Sequence, residues 1–154
     1  MDTLLSAPLF TLELDVALDR TQNIGQAGDH KRVIVPINGG RFEGAKLRGT
    51  VLPDGADWLT VQGDGSWNID VRVTLRTDDD ALIYMRYGGV LVPKPEMLER
   101  FNKREILPYD AYYARTTPRF ETSAPKYVWL NSVIAVANGV RLEKGPRYNV
   151  FEIL

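Results

Sequence analysis

Asp70, Arg72, Tyr84 and Arg86 are the residues whose types and spacing best suit chemistry: a carboxylate, a phenol and two guanidiniums on extended segments of one short stretch. Side chains two apart in a strand share a face, so Asp70 lies beside Arg72 and Tyr84 beside Arg86. A carboxylate moves a proton, a phenol donates one, and a guanidinium steadies developing negative charge. Asp70, Arg72, Tyr84 and Glu43 are therefore the catalytic candidates, with Arg86, Arg115, Trp129 and Asn131 as ligand contacts from neighbouring strands. A polar pocket with aromatic walls suits a small organic substrate, anions included. Isomerisation, cyclisation to a lactone and elimination by a lyase all fit metal-free acid–base catalysis.

Each residue also has a plainer role. Asp70 with Arg72 can be an ion pair on a wet face, Glu43 can pair with Arg41, and Tyr84 and Trp129 can be packing residues. A ligand-binding barrel without chemistry and a structural subunit whose polar face contacts another copy are thus alternatives to an enzyme. The acidic run Asp78-Asp79-Asp80 reads as a solvated turn, because calcium needs more oxygen ligands than it offers.

Composition removes other classes. The chain of 154 residues has no cysteine and one histidine, which excludes disulfides and thiolate metal sites and leaves no histidine cluster to bind a metal. His30 reads as an ordinary hydrogen-bonded side chain. Ser6, Ser66, Ser123 and Ser132 lack a histidine partner and a Gly-x-Ser-x-Gly elbow. The glycines match neither GxGxxG nor a phosphate loop. A formal net charge of −1 gives no footprint for nucleic acid. The chain's start lacks a signal-peptide pattern and no apolar run is of spanning length, so the expectation is a cytoplasmic protein away from membranes, with no cofactor and a small-molecule ligand as its partner.

The element that must position the candidates is a hairpin from Trp67 to Tyr87. Trp67, Ile69, Val71, Val73 and Leu75 alternate with Asn68, Asp70, Arg72, Thr74 and Arg76, a period of two. Matching the faces of both arms requires a three-residue loop over Asp78–Asp80, with Asp80 at positive φ. That register sets Arg72 opposite Arg86 and Thr74 opposite Tyr84. Opposed guanidiniums are unfavourable without an anion nearby, and Asp70 is the candidate.

Around the hairpin, strands are predicted over 9–16, 32–37, 47–52, 57–61, 110–120, 127–137 and 148–154, with Asp19 to Lys31 as a loop. Asn38-Gly39-Gly40, Pro53-Asp54-Gly55 and Asn138-Gly139 read as turns, and Pro118 marks an edge or a bulge. Pro95 to Arg104 reads as a helix of about two to three turns covering the end of the sheet. The class is all-β with one short helix, an antiparallel barrel of roughly eight to ten strands in one domain over 1–154. Either polar faces line that barrel around a ligand, or apolar faces fill it and polar faces meet water.

Gly39-Gly40-Arg41-Phe42-Glu43-Gly44, Gly55-Ala56-Asp57-Trp58, the run from Asp70 to Asp79, the tract from Arg115 to Thr122 and Tyr127-Val128-Trp129-Leu130-Asn131 together resemble the bacterial and fungal family called domain of unknown function 3237. The resemblance spans nearly the whole chain. It implies a β-barrel and no particular reaction, since the family is mostly uncharacterised. Asp80 departs from its pattern, where glycine is usual.

Overall fold

The computed structural model describes residues 2–154. Its strands are β1 (Ser6–Val16), β2 (Gln22–Ala27), β3 (His30–Glu43), β4 (Arg48–Val51), β5 (Gly55–Gln62), β6 (Trp67–Thr77), β7 (Leu82–Pro93), β8 (Tyr112–Glu121), β9 (Ala135–Arg141) and β10 (Pro146–Ile153), with a helix α1 (Leu98–Asn102). Every pairing is antiparallel. The sheet runs β1-β10-β9-β8-β7-β6, passes through β5 and β4 to β3, and closes where β3 pairs with β1. Eight positions make the barrel. β4 and β5 share one, because each pairs with a different half of the long β3, and β2 extends the β1 side of β3. Closure leaves the barrel without a long exposed edge.

The hairpin has the register expected from its faces. Arg72 pairs with Arg86 and Thr74 with Tyr84, the Thr77 N–H donates to the Ala81 carbonyl at 2.9 Å, and Asp80 has φ of 69°. An aspartate tolerates that left-handed backbone better than most residues, which is why a three-residue loop closes here.

The inward face is the apolar one. Val71, Val73, Leu75, Ile83, Met85 and Tyr87 are buried, while Arg72 and Arg86 are exposed and Asp70 and Tyr84 are half-buried on the opposite side. Of the two arrangements open to the alternation, the one with polar faces in water is observed. Burying an apolar side chain is worth about 1.5–3 kcal/mol, whereas burying an unpaired charge costs more than that, so the row of aliphatic residues takes the interior.

The barrel's two ends differ. At the end near Thr77, Phe10 stacks edge-on against Phe42 and Phe120 at 5.7 and 5.8 Å, filling the interior. At the end near Trp67, α1 lies across the opening and drives Phe101, fully buried, against Trp67 at 4.9 Å and Tyr112 at 5.7 Å.

Four local readings differ from expectation. The segment 19–31 contains β2, paired with the start of β3. Asn38-Gly39-Gly40 does not turn the chain. β3 runs through it, and Gly40 is needed because a Cβ there would meet the Glu13 carbonyl oxygen of β1. The alternating stretch 127–137 is a 3₁₀ turn over Val128–Ser132 before β9 begins. Tyr127 is held there by its hydroxyl, which donates to Asp79 Oδ1 at 2.7 Å, and Asp79 also accepts from Thr77 and Lys126 at 2.6 and 2.8 Å. The Asp78–Asp80 loop is thus tied to this turn. Asn138-Gly139 lies inside β9, where Gly139 leaves room for the Tyr148 ring. Pro118 does lie at an edge: β8 pairs with β9 only at Arg115 and Thr116, leaving the β9 side of Pro118 open.

Candidate active site in the barrel cavity

Filling one end with phenylalanine leaves the other hollow. A cavity of about 280 Å³ opens there, walled by aliphatic side chains such as Leu14, Val35, Leu59, Ile69 and Leu91. Its polar lining residues are few: Asp57, Tyr87, Tyr112, Tyr148 and Arg141, with Thr21, Lys31 and Arg104.

Asp57 reaches the cavity because of a gap in the wall. β5 and β6 pair at Ala56–Arg72 and Asp57–Val71, and again at Thr60–Asn68 and Val61–Trp67, but not between. In the gap the Asp70 N–H donates to Asp57 Oδ1 at 3.1 Å, and the Trp58 carbonyl accepts from Arg32 Nη1 at 2.6 Å. Side chains therefore satisfy backbone groups that a regular ladder would pair. Burial disfavours the charged form of Asp57 and pushes its pKa up to about 6, against the pull of the Asp70 N–H; the Asp70 charge adds to the rise and Arg32 opposes it.

Tyr87 and Tyr148 meet edge to face, with ring centroids 5.2 Å apart. Gly139 makes room for the second ring, since a Cβ there would come within 2.6 Å of Tyr148 Cε1. Burial holds both hydroxyls well above the usual phenol range, and Asp57 adds to both shifts. The Tyr87 hydroxyl is buried and makes no hydrogen bond of ordinary geometry, with the Tyr148 hydroxyl the group near enough to influence it. Both phenols remain protonated donors across the physiological range.

At the mouth, the Tyr112 hydroxyl accepts from the Arg141 N–H at 2.7 Å, fixing the end of β9. Among the described residues, no group of three histidine, cysteine, aspartate or glutamate side chains stands close enough to hold a metal.

None of the residues singled out by type and spacing lines this cavity. Asp70 and Arg72 form an outward ion pair at 3.6 Å, each side chain 51% exposed, with the Arg72 guanidinium 5.1 Å from the Trp58 ring. Tyr84 and Arg86 share that outer face, and Glu43 is exposed on β3. Arg115 is exposed, 4.6 Å from the Tyr113 ring. Trp129 is half-buried with the Lys46 ammonium 5.0 Å from its ring, and Asn131 bonds the Thr122 backbone at 2.8 and 2.9 Å. Asp57, Tyr87, Tyr148 and Arg141 were not singled out. Their signal is parity: Asp57 shares a face with Leu59 and Val61, and Tyr87 with Ile83 and Met85, so each is a polar group on an apolar row.

Comparison with known proteins agrees with this architecture. A UPF0311 protein of Clostridium acetobutylicum is 33% identical over 141 residues, spanning 91% of this chain and 89% of that protein. A solved structure described as a beta-barrel like protein, from Acinetobacter baumannii, superposes with a TM-score of 0.87 at 37% identity, covering 100% of this chain and 98% of the other. A structure described as an enzyme from Penicillium herquei has the same fold at 20% identity, with a TM-score of 0.73 over 100% of this chain and 97% of that one. Residues 6–153 match the family described as "Protein of unknown function (DUF3237)", and the chain belongs to that family.

Proposed function

We propose that this barrel is a small-molecule catalyst that moves a proton within its cavity, with Asp57 as the acid–base group. The observation that carries the reading is a carboxyl whose pKa is raised to about 6, opening on an apolar cavity beside two protonated phenols. A general base works best with a pKa near the working pH, and Asp57 is tuned toward it. Ionised Asp57 takes a proton from an acidic C–H or O–H of the bound substrate. Negative charge then develops on a substrate oxygen, where the phenols of Tyr87 and Tyr148, both in the cavity lining, donate hydrogen bonds. Protonated Asp57 returns the proton to a second position. Return to carbon is an isomerisation, and loss or internal attack of an oxygen gives elimination or ring closure. A similar barrel being described as an enzyme is compatible with this reading.

The test is proton exchange rather than turnover of a guessed substrate. In deuterium oxide, a panel of small enolisable cyclic ketones is followed by proton NMR with wild type and Asp57→Asn. Deuterium entry at the α-carbon that Asp57→Asn abolishes supports the reading; exchange that persists in a folded Asp57→Asn protein rejects it. A second reading is a binding barrel without chemistry, favoured by the mainly aliphatic wall. It predicts ligand recovered unchanged and no exchange with either protein.

A further inference from the structure

Arg141 is a cation without a counter-ion. Its residue is only 9% exposed, yet no carboxylate lies within 4.0 Å of its guanidinium among the described residues. Nη2 donates to the backbone oxygens of Phe101 and Glu105 at 2.9 and 3.3 Å, which ties α1 over the opening. Nε is buried with no acceptor at all. The guanidinium lies 4.1 Å from the Phe101 ring and 5.9 Å from that of Trp67, a setting that holds the charge without neutralising it. Burying an arginine unpaired is costly, and fixing a helix end does not require a residue that leaves a donor orphaned.

The surroundings have one sign. Arg104 and Lys31 line the same mouth, and Asp57 is the one acid among the described lining residues. Asp57 pairs with Val71 and Arg141 lies against Trp67, four residues earlier on β6. At a rise of about 3.3 Å per residue this is roughly 13 Å of wall. The cavity thus has a cationic pole at its mouth and a proton-transferring pole deeper in, joined by aliphatic wall.

We infer that the ligand of this cavity is a small organic acid, bound with its carboxylate or an equivalent planar oxyanion on Arg141 at the mouth and its apolar body against the aliphatic wall. This rests on the cavity being the ligand site proposed above. Nη1 makes no hydrogen bond among the described residues and is not occluded, so a carboxylate oxygen can meet the guanidinium there in a charge-assisted bond. With a cavity of about 280 Å³ the ligand is compact, one or two rings in size.

Isothermal titration with 2-naphthoate and with its neutral amide, 2-naphthamide, tests this. The two share a ring system and differ in charge. Wild type is expected to bind the acid at least tenfold more tightly, Arg141→Gln to bind both equally, and Arg141→Lys to keep part of the preference. Equal binding of acid and amide by wild type, a preference that survives in Arg141→Gln, or binding of neither probe at its solubility limit would overturn the inference. Should Arg141→Gln fail to fold, Arg141→Lys decides: a preference unchanged from wild type rejects the role. The same titration on Asp57→Asn separates this inference from the catalytic reading. An acid preference kept there, together with deuterium exchange that does not depend on Asp57, leaves the anion site and removes the catalysis. Loss of the preference in wild type with exchange still dependent on Asp57 does the reverse.

Discussion

The backbone N–H of Asp70 donates to the carboxylate of Asp57 at 3.1 Å, so an acid in water and an acid in the cavity are joined through the barrel wall. After burial, the outer residue supplies two of the three causes that set the proton affinity of the inner one: its N–H lowers that affinity and its charge raises it, and Arg32 is the third. This link makes the two aspartates separable by experiment.

Asp57→Asn should stabilise the protein in a pH-dependent way. The folded pKa, about 6, lies above the ordinary 3.8, so the folded state favours the protonated carboxyl. Well below pH 3.8 both states are protonated and the group costs nothing. As pH rises toward 6 the unfolded chain ionises first, and stability falls to a plateau lower by on the order of 3 kcal/mol. Asparagine keeps the oxygen that accepts from Asp70 and removes the charge. Urea unfolding should show Asp57→Asn gaining stability over wild type at pH 8 and little at pH 4; a gain of equal size at both would contradict the burial argument.

Asp70→Asn should leave folding nearly unchanged, because an exposed pair is worth about 0–1 kcal/mol. Its effect should be on proton affinity. With one negative charge removed, the Asp57 pKa moves down, and the acid limb of the exchange rate shifts to lower pH while the plateau stays. Carboxyl carbon NMR of labelled aspartate reads the same shift directly. If instead the plateau itself collapses in a folded Asp70→Asn protein, Asp70 acts in catalysis from the outer face and the assignment to Asp57 is wrong.

Tyr87→Phe removes a buried hydroxyl that makes no hydrogen bond of ordinary geometry. An orphaned polar group costs about 1–3 kcal/mol, so the variant should match or exceed wild type in thermal stability. It should nonetheless exchange substrate protons more slowly, by about a hundredfold to a thousandfold if one oxyanion donor is lost. Calorimetry and deuterium exchange on the same preparation check both.

Gly139→Ala should destabilise by about 1–3 kcal/mol, because the new methyl enters the space of the Tyr148 ring. The displaced ring should also reduce exchange. An alanine variant as stable as wild type would show that the ring moves aside freely.

How far the sequence carried the fold can be seen in particular residues. Register across β6 and β7 was legible because face parity and loop length fix it jointly, and Asp80 supplies the needed φ. Which face turned inward was not settled by alternation, which is symmetric until closure of the sheet chooses. Stretch 127–137 imitates a strand because its apolar residues alternate, yet Tyr127 is pinned by Asp79, a contact between residues 48 apart. Gly139 carries a turn signal locally and serves a ring on the next strand. The polar residues of the cavity lining escaped for a related reason. Conspicuous charges such as Asp70 and Arg72 sit where water accepts them, whereas Asp57 and Arg141 each stand alone in apolar company, and only closure of the barrel brings them to one space.

The phenylalanine plug at one end and the hollow at the other belong to one continuous core, since Leu59 and Leu91, which wall the hollow, share a cluster with Phe10, Phe42 and Phe120. A residue that shapes the hollow therefore also holds the barrel together, and a change in what the hollow admits is felt in the stability of the whole fold.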